Sequence, residues 1–356
     1  MTAPLPNSAA LTTGSLTDAG FDLPAWDEVA RIMTFRGGMN TSTVIAGTSL
    51  LGLAAGVIGV FALLRKRALV ADALSHATLP GIVLAFLAAV GLGFDGRSLP
   101  VLMAGAVGTG VLGVLCIQLL VRHTRLHEDA AIGVVLSVFF GAGVVLLSIV
   151  QTGEHGNAAG LNHFIYGQTA AMSRSDALLM AGIGVVAIIA TAVLLKEITL
   201  VCFNDEFARV GGWPVTVIDL IVMALVVLVT AAGLQAVGLL LVVALLIIPP
   251  VSARFWTDQV RRLVVLAGVF GAMGGYLGSV VSASLPRQPA GAVIVLTSGV
   301  LFVVSMTFAP RRGVLATGLK RLRLRLRISG DHLLEAAYEH TLMNRDHAVV
   351  PDGVVR

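Results

Sequence analysis

Charge is scarce in this 356-residue sequence: Asp, Glu, Lys and Arg make up only 12% of it, against roughly 25% in an ordinary soluble domain. With 56% hydrophobic residues and a mean hydropathy of +0.92, that scarcity excludes a soluble globular protein. It predicts an all-α polytopic membrane protein. Cysteine is scarce too. Cys116 and Cys202 lie in or beside apolar segments and cannot form a disulfide framework. There is no Gly-x-x-x-x-Gly-Lys-Ser/Thr loop, nor any Gly-Lys pair, so nothing here reads as a phosphate loop for ATP. The absence of His-Glu-x-x-His argues against an intramembrane zinc protease. Residues 1–40, polar and carrying Pro4, Pro6 and Pro24, lack a basic stretch leading into an apolar core, so no cleavable signal peptide is expected. Finally, no acid interrupts the seven Arg and Lys between Arg311 and Arg327. With a net charge of only +4, that local asymmetry speaks to membrane orientation and gives no reason to expect a nucleic-acid partner.

What the chain has in abundance is apolar length. A span needs about 20 apolar residues, and candidates fall near 44–64, 68–93, 99–121, 130–150, 176–196, 215–231, 234–250, 263–284 and 291–309. The two short ones, 215–231 and 234–250, meet at Ala232-Gly233. Nine spans are expected, or eight if those two form one bent element. Basic connections favour the cytoplasm. They are Arg65 to Arg67, Arg122 to Arg125, Lys196 to Arg209, Arg254 to Arg262, and Arg311 onward. With nine spans these alternate with the basic-poor connections and place the N-terminus outside and the C-terminus inside. The expected organisation is a polar tail over 1–43, a transmembrane domain over 44–310 and a basic cytoplasmic tail over 311–356. Forty glycines suit close helix packing in lipid.

Inside the second span stand Asp72 and His76. Four residues apart, they share one helix face. Ionisable groups at membrane depth are costly and usually face a partner or a cavity. A hard carboxylate oxygen and a borderline imidazole nitrogen together suit Mn, Fe or Zn better than Ca or Mg. The blander alternative is a polar pair bonded to neighbouring helices. Ser75 between them reads first as a packing residue, with a place on an ion path as the lesser reading. Pro80-Gly81 loosens the helix just beyond. Asp219, one turn inside its span, calls for a cytoplasmic Arg, with ion passage as the second reading. Glu154 and His155, in the external loop 151–175, are candidates for the mouth of a path. His123, His127, Glu128 and Asp129 cluster at a span start, where acids favour the helix dipole; they read as structural or as contacts with an ATPase, with metal release as the lesser reading.

The cytoplasmic segment from Phe203 to Gly212 predicts a short amphipathic helix. Asn204 or Asp205 caps it, Glu206 sits in its first turn, Gly211-Gly212 ends it, and Phe203, Phe207 and Val210 share a face. Such a helix either docks into a partner's groove or lies on the lipid surface. Further on, Lys320 to Arg327 alternates basic and aliphatic residues, which on a strand puts all charge on one face and suits anionic lipid headgroups. Asp331 to His340 reads as a short amphipathic helix.

Taken together, these segments resemble the membrane permease subunits of ABC transporters for manganese, zinc and iron. The resemblance rests on Asp72-x-x-Ser75-His76 with Leu79-Pro80-Gly81, on His127 to Gly133, on Phe203 to Gly212, on Leu234 to Gly238 with Pro249 to Arg254, and on Pro289 to Pro310. It covers about 44–310. One departure stands out: the family's coupling helix usually reads Phe-Asp-Pro-Glu-Phe-Ala, and here Asn204-Asp205 replaces Asp-Pro. The resemblance implies a chain that is not itself an enzyme. It implies a dimer of identical or similar permeases and separate cytosolic ATPase subunits docking on Phe203, Asp205, Glu206, Phe207, Arg209 and Gly211. An extracytoplasmic binding protein would hand over the metal, which is cargo rather than a resident cofactor. The implied location is a bacterial cytoplasmic membrane. The segment after Asp331 is similar to the opening of a winged-helix extension of some manganese-type permeases. The rival reading is a secondary transporter driven by an ion gradient, with Asp72 and His76 as a proton relay; a docking helix speaks against it.

Overall fold

The computed structural model describes residues 26–65, 68–94, 98–152, 172–285 and 289–347, and every regular element among them is helical. In chain order these are α1 (Trp26–Met33), α2 (Met39–Leu64), α3 (Ala68–Ala77), α4 (Leu79–Gly91), α5 (Leu99–His123), α6 (Glu128–Thr152) and α7 (Arg174–Val193). There follow α8 (Leu195–Phe203), α9 (Asp205–Val210), α10 (Val215–Val237), α11 (Leu239–Arg254), α12 (Val260–Ser284), α13 (Ala290–Phe308) and α14 (Val314–His347). Eight helical segments among the described residues are long and apolar enough to cross a membrane, with α3 and α4 together supplying one of them. The sixteen-residue α11 is shorter.

Helix α2 is the core of the bundle, and it packs most extensively on α12. The reason is side-chain size. Gly52 and Gly271 face one another so closely that a Cβ on either would collide with the other's carbonyl. Gly56 and Gly275 continue the same seam against Ala267 and Thr48. In lipid no hydrophobic drive joins two helices, so small residues that admit backbone-to-backbone approach supply the attraction. Thr48 and Ser279 add a buried hydroxyl pair 2.7 Å apart across this interface. Around this centre, α3, α4 and α10 are also largely buried, whereas α6, α7 and α13 turn most of their surface outward.

Three expectations are corrected. The α10–α11 break lies at Gly238, not at Ala232-Gly233. Gly238 has φ +84°, a left-handed conformation that favours glycine, while Gly233 stays helical and gives Val242 room to pack. The tail does not alternate as a strand: Val314–His347 is a single 34-residue helix. Leu, Lys and Arg are good helix formers, and a lone strand would have no partner to pair with. The break after the Asp72–His76 turn falls at Thr78, two residues ahead of Pro80, because Pro belongs in the first turn of a new helix. The N-terminal segment also contributes an ordered element. Helix α1 buries Ile32 against Ile45 and Val280, and the Tyr276 hydroxyl donates to the Met33 carbonyl at 2.7 Å.

The bundle has two chemically different ends. Arg65, Arg122, Glu128, Asp205 and Arg209 gather at one. Phe35, Arg36, Met39 and Arg174 gather at the other. On the first side, Asp258 pairs with Arg311 and Arg312 at 3.3 and 2.6 Å, tying the start of α12 to the turn before α14.

Candidate metal site and docking helix

Helix α3 packs against α6, α10, α5 and α11. Val70, Ala71, Ala73, Leu74 and Ala77 are buried in those contacts. Against that apolar background, Asp72 keeps 41% of its side chain exposed and His76 keeps 22%. Asp72 Oδ1 lies 3.7 Å from His76 Nε2. That is too long for a hydrogen bond. It is short enough for one transition-metal ion, bound at about 2.0–2.2 Å from each atom, to sit between them. His76 Nδ1 is buried and has no hydrogen-bond partner among the described residues. The ring is steadied by Phe140 of α6, edge-on at 4.8 Å between centroids. Ser75 is fully buried, and its hydroxyl donates to the Ala71 carbonyl at 2.7 Å, a bond local to the helix. No group of three or more His, Cys, Asp or Glu that could hold a metal occurs among the described residues. One chain therefore offers two ligands at this site. Glu154 and His155 lie outside the described residues.

At the basic end, α9 forms as its sequence dictates. Asn204 takes the cap, its side chain accepting from the Phe207 backbone N–H at 2.9 Å. Glu206 occupies the exposed first turn, and Gly212, with φ +78°, follows the helix. Ala208 is buried beneath, while Phe203, Phe207 and Val210 stand out, 68%, 64% and 89% exposed. Three large exposed apolar side chains, from the end of α8 to the end of α9, are of the kind that marks an interaction surface.

Beneath those side chains lies a cluster that sequence reading only half anticipated. Asp219 of α10 does pair with an arginine, and the arginine is Arg65, the cap residue of α2. Arg65 Nε and Nη2 both donate to Asp219 Oδ1, at 3.0 and 2.7 Å. Its Nη1 donates to Asp205 Oδ1 at 2.6 Å and to the Val201 carbonyl at 3.1 Å. Burial by itself would lower the Arg65 pKa. The charges and hydrogen bonds of Asp219 and Asp205 outweigh it and hold the guanidinium above its ordinary value. Asp205 is thus turned to Arg65, at the inner side of α9. A cavity of about 200 Å³ adjoins the cluster and is lined by Arg65, Val70, Gln118, Glu128, Asp205 and Asp219 among others. Through Val70 it reaches the first turn of α3.

Comparison with known proteins fits this geometry. The model of the ABC 3 transport family matches residues 39–309. The chain belongs to that family. This ABC 3 permease is 42% identical over 301 residues to the manganese transport system membrane protein MntC of Bacillus subtilis (strain 168), covering 84% of this chain and 68% of the relative. It is 41% identical over 283 residues to the zinc transport system membrane protein TroC of Treponema pallidum (strain Nichols), covering 80% and 93%. Among solved structures, PsaBC from Streptococcus pneumoniae in complex with Fab superposes with a TM-score of 0.69 at 28% identity, over 80% of this chain and 97% of that one. The ABC 3 permease is therefore a multi-pass membrane subunit of an ABC transporter complex. Its role is passage rather than catalysis, and the ion-gradient-driven alternative falls away.

Proposed function

We propose that this chain is the permease of an importer that brings a divalent transition metal into a bacterial cell across its cytoplasmic membrane, with manganese first and zinc or iron behind it. Asp72 and His76 supply the protein's contacts to the passing ion. The observation that carries this reading is the pair itself: a carboxylate oxygen and a ring nitrogen 3.7 Å apart, partly open, on a helix whose Val70, Ala71, Ala73, Leu74 and Ala77 are buried. Two ligands are too few to strip an ion of water. A second permease, identical or similar, meeting this one across a twofold axis would bring the set to four. The relatives' names, manganese for one and zinc for another, support a cargo of this chemical class.

In this reading the chain crosses the membrane nine times, with α11 as the short seventh crossing. Leu234, at the end of α10 just ahead of it, shares a core cluster with Leu102 and Val150, whereas Ala253 near the end of α11 shares one with Val60 and Leu263. The Arg65 end faces the cytosol, as the excess of basic residues favours. Phe203, Phe207 and Val210, rimmed by Glu206 and Arg209, dock into a cytosolic ATPase subunit. Asp205 supports α9 from beneath, and Gly211 lets the chain turn away. An extracytoplasmic binding protein delivers the ion to the opposite end, near the Glu154–His155 loop. ATP-driven movement of the docked helices then switches access to the Asp72–His76 pair from outside to inside. The α14 helix, with Lys320, Arg321, Arg323 and Arg325 exposed, lies toward anionic lipid.

The test is accumulation of manganese, iron and zinc, measured together in cells with and without this chain. Manganese is expected to fall most on deletion. Unchanged levels of all three would overturn the reading.

A further inference from the structure

We infer that Arg65 is a positioning residue that joins the docking helix to the metal-bearing helix, with Asp219 as its fixed anchor and Asp205 as its releasable one. This inference rests on the docking reading of α9. Arg65 bonds at once to α8 (Val201), α9 (Asp205) and α10 (Asp219). It also caps α2, and α3 begins three residues later. Asp72 is seven residues along from Arg65. A displacement of Arg65 is therefore passed toward α3, whose second turn carries Asp72.

The two halves of the joint differ in a way that suits such a role. Asp219 is 10% exposed and receives two donors, whereas Asp205 is 40% exposed and receives one. A buried ion pair is costly to break once formed. A solvent-screened one contributes little and separates readily. Movement of α9 can thus open the Asp205 half while the Asp219 half holds, and the adjoining cavity gives the guanidinium room to follow. A coupling element needs two discrete arrangements, and this asymmetry provides them. Asn204 caps α9 with its side chain, which leaves the carboxylate of Asp205 to hold Arg65.

The experiment uses the assembled permease–ATPase complex in proteoliposomes and reads manganese(II) transported per ATP hydrolysed, alongside recovery of the ATPase with the permease. Asp205→Asn is expected to keep the complex and lower the transport ratio, and Arg65→Gln to lower it at least about fivefold, the lower range of site-to-site coupling. Arg65→Lys, which keeps the charge but not the planar fork, is expected to recover only part of the Arg65→Gln loss. Phe207→Asp is expected to release the ATPase altogether. A wild-type ratio in Asp205→Asn overturns the inference whether or not Arg65→Gln folds. Retention of the ATPase by Phe207→Asp overturns instead the docking reading beneath it.

Discussion

Two clusters of charge, around Arg65 and around Asp72, lie close together along the chain, and they are built in opposite ways. Around Arg65 four hydrogen bonds converge on one guanidinium, and both anionic partners are close enough to neutralise it. Asp72 and His76 are not closed on each other by a hydrogen bond. The two side chains stand apart at 3.7 Å, and a buried ring nitrogen has no partner among the described residues. A buried polar atom left unpaired costs about 1–3 kcal/mol, and stable proteins keep few of them. The contrast separates structure from function. A cluster that holds helices together closes on itself, while the cluster proposed to accept and release an ion is left incomplete.

The largest expected effect that sharpens this contrast is on stability. Asp219→Ala leaves a nearly buried guanidinium short of its main partner and is expected to cost about 3 kcal/mol, read as a fall in thermal stability of the purified permease. Asp72→Ala, which removes no hydrogen bond among the described residues, is expected to change stability by less than about 0.5 kcal/mol. Equal costs would erase the distinction. Next in size is Phe140→Ala. It removes an edge-on ring contact worth about 0.5–1.5 kcal/mol beyond its area and frees the His76 ring, so metal uptake should fall severalfold while the ATPase stays bound. Smallest is the response to pH at the Arg65 cluster. A raised folded-state pKa gives stability that is fully present below the unfolded value and lost only above the folded one. For an arginine both lie beyond any working pH. Binding of the ATPase should therefore show no step attributable to Arg65, and a step abolished by Arg65→Gln would contradict the assignment.

How much of this could be read from residues alone varied with the range of the interaction. The short helix α9 was legible in detail. Its cap, its first-turn acid, its terminal glycines and its apolar face are all set by neighbours within one turn, so Asn204, Glu206, Gly212 and Phe207 stand where local chemistry puts them. The Asp72–His76 pairing was legible for the same reason, being an i,i+4 relation. Arg65–Asp205 was not, because 140 residues separate the partners and no periodicity links them. The signal available was indirect: an acid one turn inside a span, Asp219, needs a cation. Phe140 gave no signal at all, since an aromatic in an apolar span reads as packing. The tail erred toward a strand because alternation was weighed above propensity. Gly233 was chosen over Gly238 because composition cannot say which glycine carries the positive φ.

The central claim is that Asp72 and His76 touch the metal while it crosses. Manganese uptake into proteoliposomes holding the complete transporter, with ATP hydrolysis measured in the same vesicles, tests it most directly. Loss of an outer residue at a metal site commonly costs 10–100-fold, so Asp72→Asn and His76→Ala, which remove a ligand itself, should each reduce uptake on the order of tenfold or more in folded, ATPase-bound complexes. Uptake at the wild-type rate in either variant would contradict the account.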